Sequence, residues 1–132
     1  MTNKKNNSKK TKKIKLIVNT LFISINEQYG VARMGRQLLP RVYLTPFAKA
    51  YKEAVSWEAK QAYKGKPTKK PIKIQIWYYF PDGKKRDILN DKLTTDAFQG
   101  IIYENDSQIK EAHVYKRHDS KNPRTKIIIT IL

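Results

Sequence analysis

Residues 72–111 read IKIQIWYYFPDGKKRDILNDKLTTDAFQGIIYENDSQIKE. Ile72, Ile74, Ile76, Tyr78 and Phe80 alternate with Lys73, Gln75, Trp77 and Tyr79, which is the period of a half-buried strand. Trp77 and Tyr79 on its second face suit either base stacking or packing against a helix or a partner chain. Pro81-Asp82-Gly83 stops the strand. The tight basic cluster Lys84-Lys85-Arg86 comes next, with Asp87 directly after it. Leu89, Leu93 and Ala97 fall four apart with Phe98 beside them, so a short helix is expected from about residue 90 to 99. Asn90 or Asp91 suits its N-cap, and Gly100 ends it. An acidic turn at 104–107 then leads to a strand expected over about 108–117. The stretch therefore runs strand, basic turn, helix, acidic turn, strand.

This same region collects most of the chain's acids. The protein carries 28 Lys+Arg against 11 Asp+Glu in 132 residues, for a net charge of +17. Seven of the eleven acids are Asp82, Asp87, Asp91, Asp96, Glu104, Asp106 and Glu111. A divalent cation is the simplest reason to gather carboxylates in so basic a chain, because Mg²⁺ is held by carboxylate oxygens.

The positive balance points to a polyanion, nucleic acid before an anionic membrane surface, since no long amphipathic basic helix is present. The length suits one domain, and 39% hydrophobic residues suffice for one modest core. The absence of cysteine excludes disulfides and thiolate metal sites. No apolar run reaches the ~18 residues of a membrane span. A Lys-rich start before LIVNTLFISI (16–25) resembles the front of a signal peptide. Asn19 breaks that run and no small-x-small site follows, so a strand is the better reading.

Outward from the centre, residues 1–15 hold seven lysines and no acid and read as a disordered basic arm, with one domain over 16–132. Residues 16–25 are rich in β-branched and apolar side chains and read as the first strand. Residues 26–41 read as a mobile loop whose Arg33, Arg36 and Arg41 can clamp phosphates. Thr45-Pro46 opens a helix that runs to about residue 63, Thr45 capping and Pro46 at the first position. Phe47, Tyr51, Ala54, Val55, Trp57 and Ala62 form its apolar stripe, expected in the core. Gly65 ends it. Residues 119–123 are a loop by composition, and 126–132 form a last strand. The expected fold is α+β, a mixed sheet of about four strands with two helices.

Asp87 and Asp91, four residues apart, lie about one helical turn from each other if the helix begins early. A helix that returns the chain to the sheet edge brings Asp106 back towards Asp87. Carboxylates converging beside Lys92 and the 84–86 cluster make a Mg²⁺ site for phosphodiester hydrolysis. Metal polarises the phosphate and acidifies a bound water, and a lysine offsets the developing charge. The plainer reading has Asp82-Gly83 as a turn, Asp91 as a cap and Lys92–Asp96 as a solvated surface pair. His113 and His118, five apart, fall on opposite faces of a strand and make a poor metal or catalytic pair. No Ser-His-Asp order, phosphate-cradling Gly-rich loop or zinc spacing is present.

The run Pro81-Asp82, Lys85-Arg86-Asp87-Ile88, Asn90, Lys92, Asp96-Ala97-Phe98 and Tyr103-Glu104-Asn105-Asp106-Ser107-Gln108-Ile109 resembles the RusA family of Holliday junction resolvases from bacteria and phages. Ser24-Ile25-Asn26 and Leu44-Thr45 with Tyr51-Lys52 extend the resemblance, which covers about 16–132. The Arg86-Asp87 and Asp106-Ser107-Gln108 blocks are its most specific parts. It implies a RusA-like, homodimeric, Mg²⁺-dependent endonuclease (with Mn²⁺ as a substitute) in the cytoplasm of a bacterial or phage-infected cell. Its substrate is branched DNA, four-way junctions nicked symmetrically on two strands, with no membrane and no small-molecule substrate. Carried over, Asp87 and Asp106 are metal ligands and catalytic acids, and Lys92 is the catalytic lysine. Lys84, Lys85, Arg86, Arg33 and Arg36 are the expected DNA contacts.

The chain departs from the family pattern at Leu89, where a second Asp is usual, and Asp91 is the expected replacement ligand. Thr95 stands where some relatives carry an aromatic. The competing readings are a non-catalytic, structure-specific DNA-binding relative and a basic RNA-binding module. Clustered acids argue against the latter, because carboxylates weaken phosphate binding unless a metal bridges them.

Overall fold

The computed structural model describes residues 12–19, 29–34, 39–83, 88 and 92–132. In chain order these form β1 (Lys12–Val18), β2 (Tyr29–Met34), β3 (Leu39–Leu44), α1 (Pro46–Ala62), β4 (Ile72–Phe80), α2 (Leu93–Asp96), a single 3₁₀ turn (Asp106–Gln108), β5 (Ile109–His118) and β6 (Arg124–Ile131). Four strands make one mixed sheet in the order β1-β6-β4-β5. β4 and β5 run parallel, while β6 is antiparallel to both β1 and β4. With two helices this is the expected α+β fold.

The central strand falls on its expected residues. Ile72, Ile74, Ile76, Tyr78 and Phe80 are buried, and the residues between them are half-buried. Register places Ile129 and Ile127 of β6 opposite Ile74 and Ile76. Ile14 and Leu16 of β1 lie beyond them, opposite the same two β6 residues. Together with Ala48, Tyr51, Val55 and Ala59 of α1 they form one core on one face of the sheet.

Three elements differ from expectation. The first strand begins at Lys12, inside the segment read as an arm, and ends at Val18. Alternation explains it: Ile14, Leu16 and Val18 point inward while Lys13, Lys15 and Ile17 stay exposed, so lysines on the open face are compatible with a strand. Residues 20–25 of the expected strand lie outside the described residues. The expected loop at 26–41 contains strands, because β2 and β3 pair as an antiparallel hairpin with Val31 opposite Val42. The second helix is a single turn. Thr94 Oγ lies 2.8 Å from the Tyr51 hydroxyl and 3.4 Å from that of Tyr78, and Thr95 Oγ donates back to the Lys92 carbonyl at 3.3 Å. Hydroxyls so engaged compete with helix continuation. Gly100 then takes φ 82°, and its amide closes the turn onto the Tyr103 carbonyl at 2.7 Å.

Helix α1 starts as expected. Thr45 Oγ accepts from the Ala48 amide at 3.3 Å, and Pro46 occupies the first helical position. The buried arc is Ala48, Tyr51, Val55 and Ala59. Phe47 and Trp57 lie off that arc and are 76% and 59% exposed, contrary to the stripe expected to be core. Ala62 is exposed as well. The helix ends at Ala62 with an extended Tyr63, not at Gly65, and the Tyr63 amide bonds the Ala59 carbonyl at 2.9 Å. No described helix is long and apolar enough to cross a membrane.

Candidate active site

The crossover from β4 to its parallel neighbour β5 positions the acidic turn. It leaves the sheet at Phe80, passes through α2 and returns at Ile109. Three buried aromatic side chains anchor the return. Phe98 and Tyr103 meet edge to face at 6.3 Å, and the Tyr103 hydroxyl donates to the Thr95 carbonyl at 2.6 Å. Tyr51 reaches Thr94 from α1. The two ends of α2's loop are thereby held against the core, and Lys92 meets the 3₁₀ turn.

There Lys92 Nζ donates to Asp106 Oδ2 at 3.3 Å. Lys92 is two-thirds exposed and Asp106 about one-third. An ion pair this open contributes about 0–1 kcal/mol, so Lys92 can leave Asp106 for a phosphate at little cost. The surface pair expected between Lys92 and Asp96 is replaced by this one. Asp96 instead accepts from Gln99 Nε2 at 3.3 Å, and the Asp106 amide donates to Gln99 Oε1 at 3.1 Å. Gln99 thus ties the backbone of one acid to the carboxylate of the other. Burial first, then the charges of Asp106 and Asp96, raise the Tyr103 phenol far above its ordinary value. It stays protonated and holds its bond to Thr95 across the working pH range.

Asp106 is fixed by a reciprocal cap. Asn105 Oδ1 accepts from the Ser107 amide at 2.8 Å, while Gln108 Oε1 accepts from the amides of Glu104 and Asn105, each at 2.9 Å. Gln108 Nε2 then donates to the carbonyls of Thr68 and Lys70 at 2.8 and 2.9 Å. One glutamine therefore fastens the acidic turn to the connector ahead of β4. Neither Gln99 nor Gln108 stands among the expected site residues. The Asn105-x-x-Gln108 spacing is that of a capping box and carried the signal for the second. Nothing in the spacing marks Gln99.

Of the other expected residues, Asp87, Asp91, Lys84, Lys85, Arg86 and Arg36 lie outside the described residues, as does Leu89. Arg33 lies in strand β2 opposite Pro40, and Arg41 opposite Ala32, both within the hairpin. His113 and His118 do take opposite faces of β5, opposite Gln75 and Phe80. His113 pairs with Glu111 at 2.6 Å, and His118 Nε2 lies 3.2 Å from the Pro81 carbonyl. Among the described residues no three or more His, Asp or Glu side chains gather as a metal site. The described part of the site offers a hard, partly exposed oxygen donor at Asp106 beside an ammonium group. Such a donor suits a divalent cation facing a phosphate.

Sequence and structure together give a basic α+β domain with an acid-lysine pair on a β-helix-β crossover. The family model described as Endodeoxyribonuclease RusA matches residues 23–130, so the chain belongs to the RusA endodeoxyribonuclease family. Its class is that of structure-specific DNA endonucleases acting on Holliday junctions, enzymes of recombination that are generally dependent on divalent metal. No curated protein matched the chain.

Proposed function

We propose that the protein is a Mg²⁺-dependent homodimer that resolves four-way DNA junctions by paired, symmetric nicks. The contact of Lys92 with Asp106 carries this reading: residues 14 apart in sequence, one at the start of α2 and the other in the 3₁₀ turn, meet at 3.3 Å. Asp106 and Asp87 hold the metal, with Asp91 as third carboxylate in place of the acid missing at Leu89. The metal supplies Lewis-acid polarisation of the phosphate and a more acidic bound water. Lys92 turns from Asp106 to the phosphate and offsets its charge. Lys84, Lys85, Arg86, Arg33 and Arg36 hold the DNA backbone, and residues 1–11 of the Lys-rich start add further phosphate contacts. Two active sites, one per subunit, match two cuts. The expected setting is the cytoplasm of a bacterial or phage-infected cell.

The test is cleavage of a synthetic four-way junction with and without Mg²⁺. Symmetric nicks that vanish in Asp87→Asn and in Asp106→Asn, with junction binding retained, support the reading. Leu89 favours a second reading, a DNA-binding relative that has lost a ligand. Junction binding without nicking by the unaltered protein would select it. Unchanged cleavage by Asp91→Asn would remove that residue from the site.

A further inference from the structure

The sheet face opposite the core carries a second chemistry that the carboxylate site does not use. Trp77 and Tyr79 lie on it in β4, an inner strand, and Tyr115 comes up beside Trp77 from β5. The Trp77 and Tyr115 rings stack at 5.1 Å with 18° between their planes. Cations lie over all three rings: Lys126 is 5.0 Å from Trp77, Arg124 is 3.8 Å from Tyr79, and Arg117 is 5.2 Å from Tyr115. The described core residues of α1 and α2 pack on the other face, and these rings are half-buried.

Charge selects the occupant. Besides those three cations, the exposed Lys13 and Lys15 of β1 lie on this face, while Glu111 is bonded to His113 and Asp119 is paired with Arg124 at 2.9 Å. A second copy stacked on it through a two-fold axis would bring like charges together, which disfavours self-association. A flat platform of rings interleaved with cations is what a single strand of nucleic acid requires: bases on rings, phosphates on cations. A long Lys or Arg side chain that shields a ring in the free protein can swing aside to a phosphate and release the ring to a base.

We infer that this sheet face binds single-stranded DNA, with Trp77, Tyr79 and Tyr115 stacking bases and Arg117 and Lys126 taking phosphates. The choice of DNA rests on the family; the face itself does not depend on the metal site. The experiment follows Trp77 fluorescence in the full chain carrying Trp57→Phe, in EDTA, titrated with an oligothymidylate of about 12 nucleotides. Quenching is expected. Trp77→Ala, followed by anisotropy of the labelled oligonucleotide, and Tyr115→Ala should each weaken binding by about tenfold. Tyr115→Phe should retain binding, which separates stacking from misfolding. Lys126→Ala should reduce the salt dependence of log K by about 0.7. Asp106→Asn should bind like the parent, so failure of the nuclease reading leaves this result standing. Absence of quenching, or affinity unchanged in a Trp77→Ala/Tyr115→Ala chain, would overturn the inference. So would tighter binding of oligouridylate, or a dimer in sedimentation that dissociates on Trp77→Ala, since the face then serves RNA or a second copy.

Discussion

At the scale of single residues, two side chains give opposite lessons about polar groups. Thr125 Oγ is buried with no hydrogen-bond partner among the described residues, on β6 opposite Tyr78. An unpaired buried hydroxyl costs about 1–3 kcal/mol, and valine keeps the branched shape the strand favours. Thr125→Val should therefore stabilise the protein by about 1 kcal/mol in chemical denaturation. Asp119 is the satisfied counterpart. It accepts from Arg124 at 2.9 Å and from the amides of Lys121 and Asn122 at 3.1 Å. The Arg124 bond, followed by the Asn122 amide, lowers its carboxyl below the ordinary aspartate value. A depressed folded value means stability present above the unfolded value and lost as pH falls through the folded one. Asp119→Asn should lower the melting temperature at neutral pH, and the difference from the parent should close as pH falls below the ordinary aspartate range.

At the scale of elements, α2 is held by contacts, not by helix length. Thr94 is where α1, β4 and α2 meet, and Thr94→Val deletes the oxygen that both the Tyr51 and Tyr78 hydroxyls reach. A cost of about 1–3 kcal/mol is expected in thermal unfolding, with junction cleavage falling further than stability alone requires, because Lys92 is the N-cap residue of this turn. The same element shows what was legible in the sequence. Alternation over 72–80 gave β4 residue for residue, and Thr45-Pro46 gave the start of α1, because both signals are local. The extent of α2 was not legible: its leucine and alanine spacing is helical, but Thr94 is engaged by the Tyr51 and Tyr78 hydroxyls of other elements and Thr95 by the Lys92 carbonyl. An apolar stripe of helical period puts Phe47 and Trp57 in the core, whereas the buried arc of α1 instead includes the small Ala48 and Ala59. The family resemblance names Asp106 and Lys92 as expected site residues. Their contact, and the part played by Gln99, depended on how the crossover folds back.

At the scale of the whole molecule, charge and topology act separately. With a net charge of +17, binding to a junction should be dominated by released counterions. Its affinity should drop about a thousandfold or more between about 50 and 200 mM salt if six or more phosphates are contacted. A shallow dependence in a filter-binding titration would mean that few of these cations meet DNA. Topology sets a different constraint. In the order β1-β6-β4-β5, the strand nearest the end of the sequence is an inner strand, flanked by β1 and β4. Lys12 pairs with Ile131 and Val18 with Thr125 across almost the entire chain. β1 has no described neighbour other than β6 in this sheet, and β4 lacks its antiparallel partner until Arg124–Ile131 is available. During synthesis the backbone of β1 must therefore wait unpaired, with α1 alone available to the Ile14, Leu16 and Val18 face, while more than a hundred residues are added. Pairings of such separation close slowly. The nascent chain passes through a stage in which an unpaired strand and open apolar surface coexist, and its yield in the cell depends on how that interval is shielded.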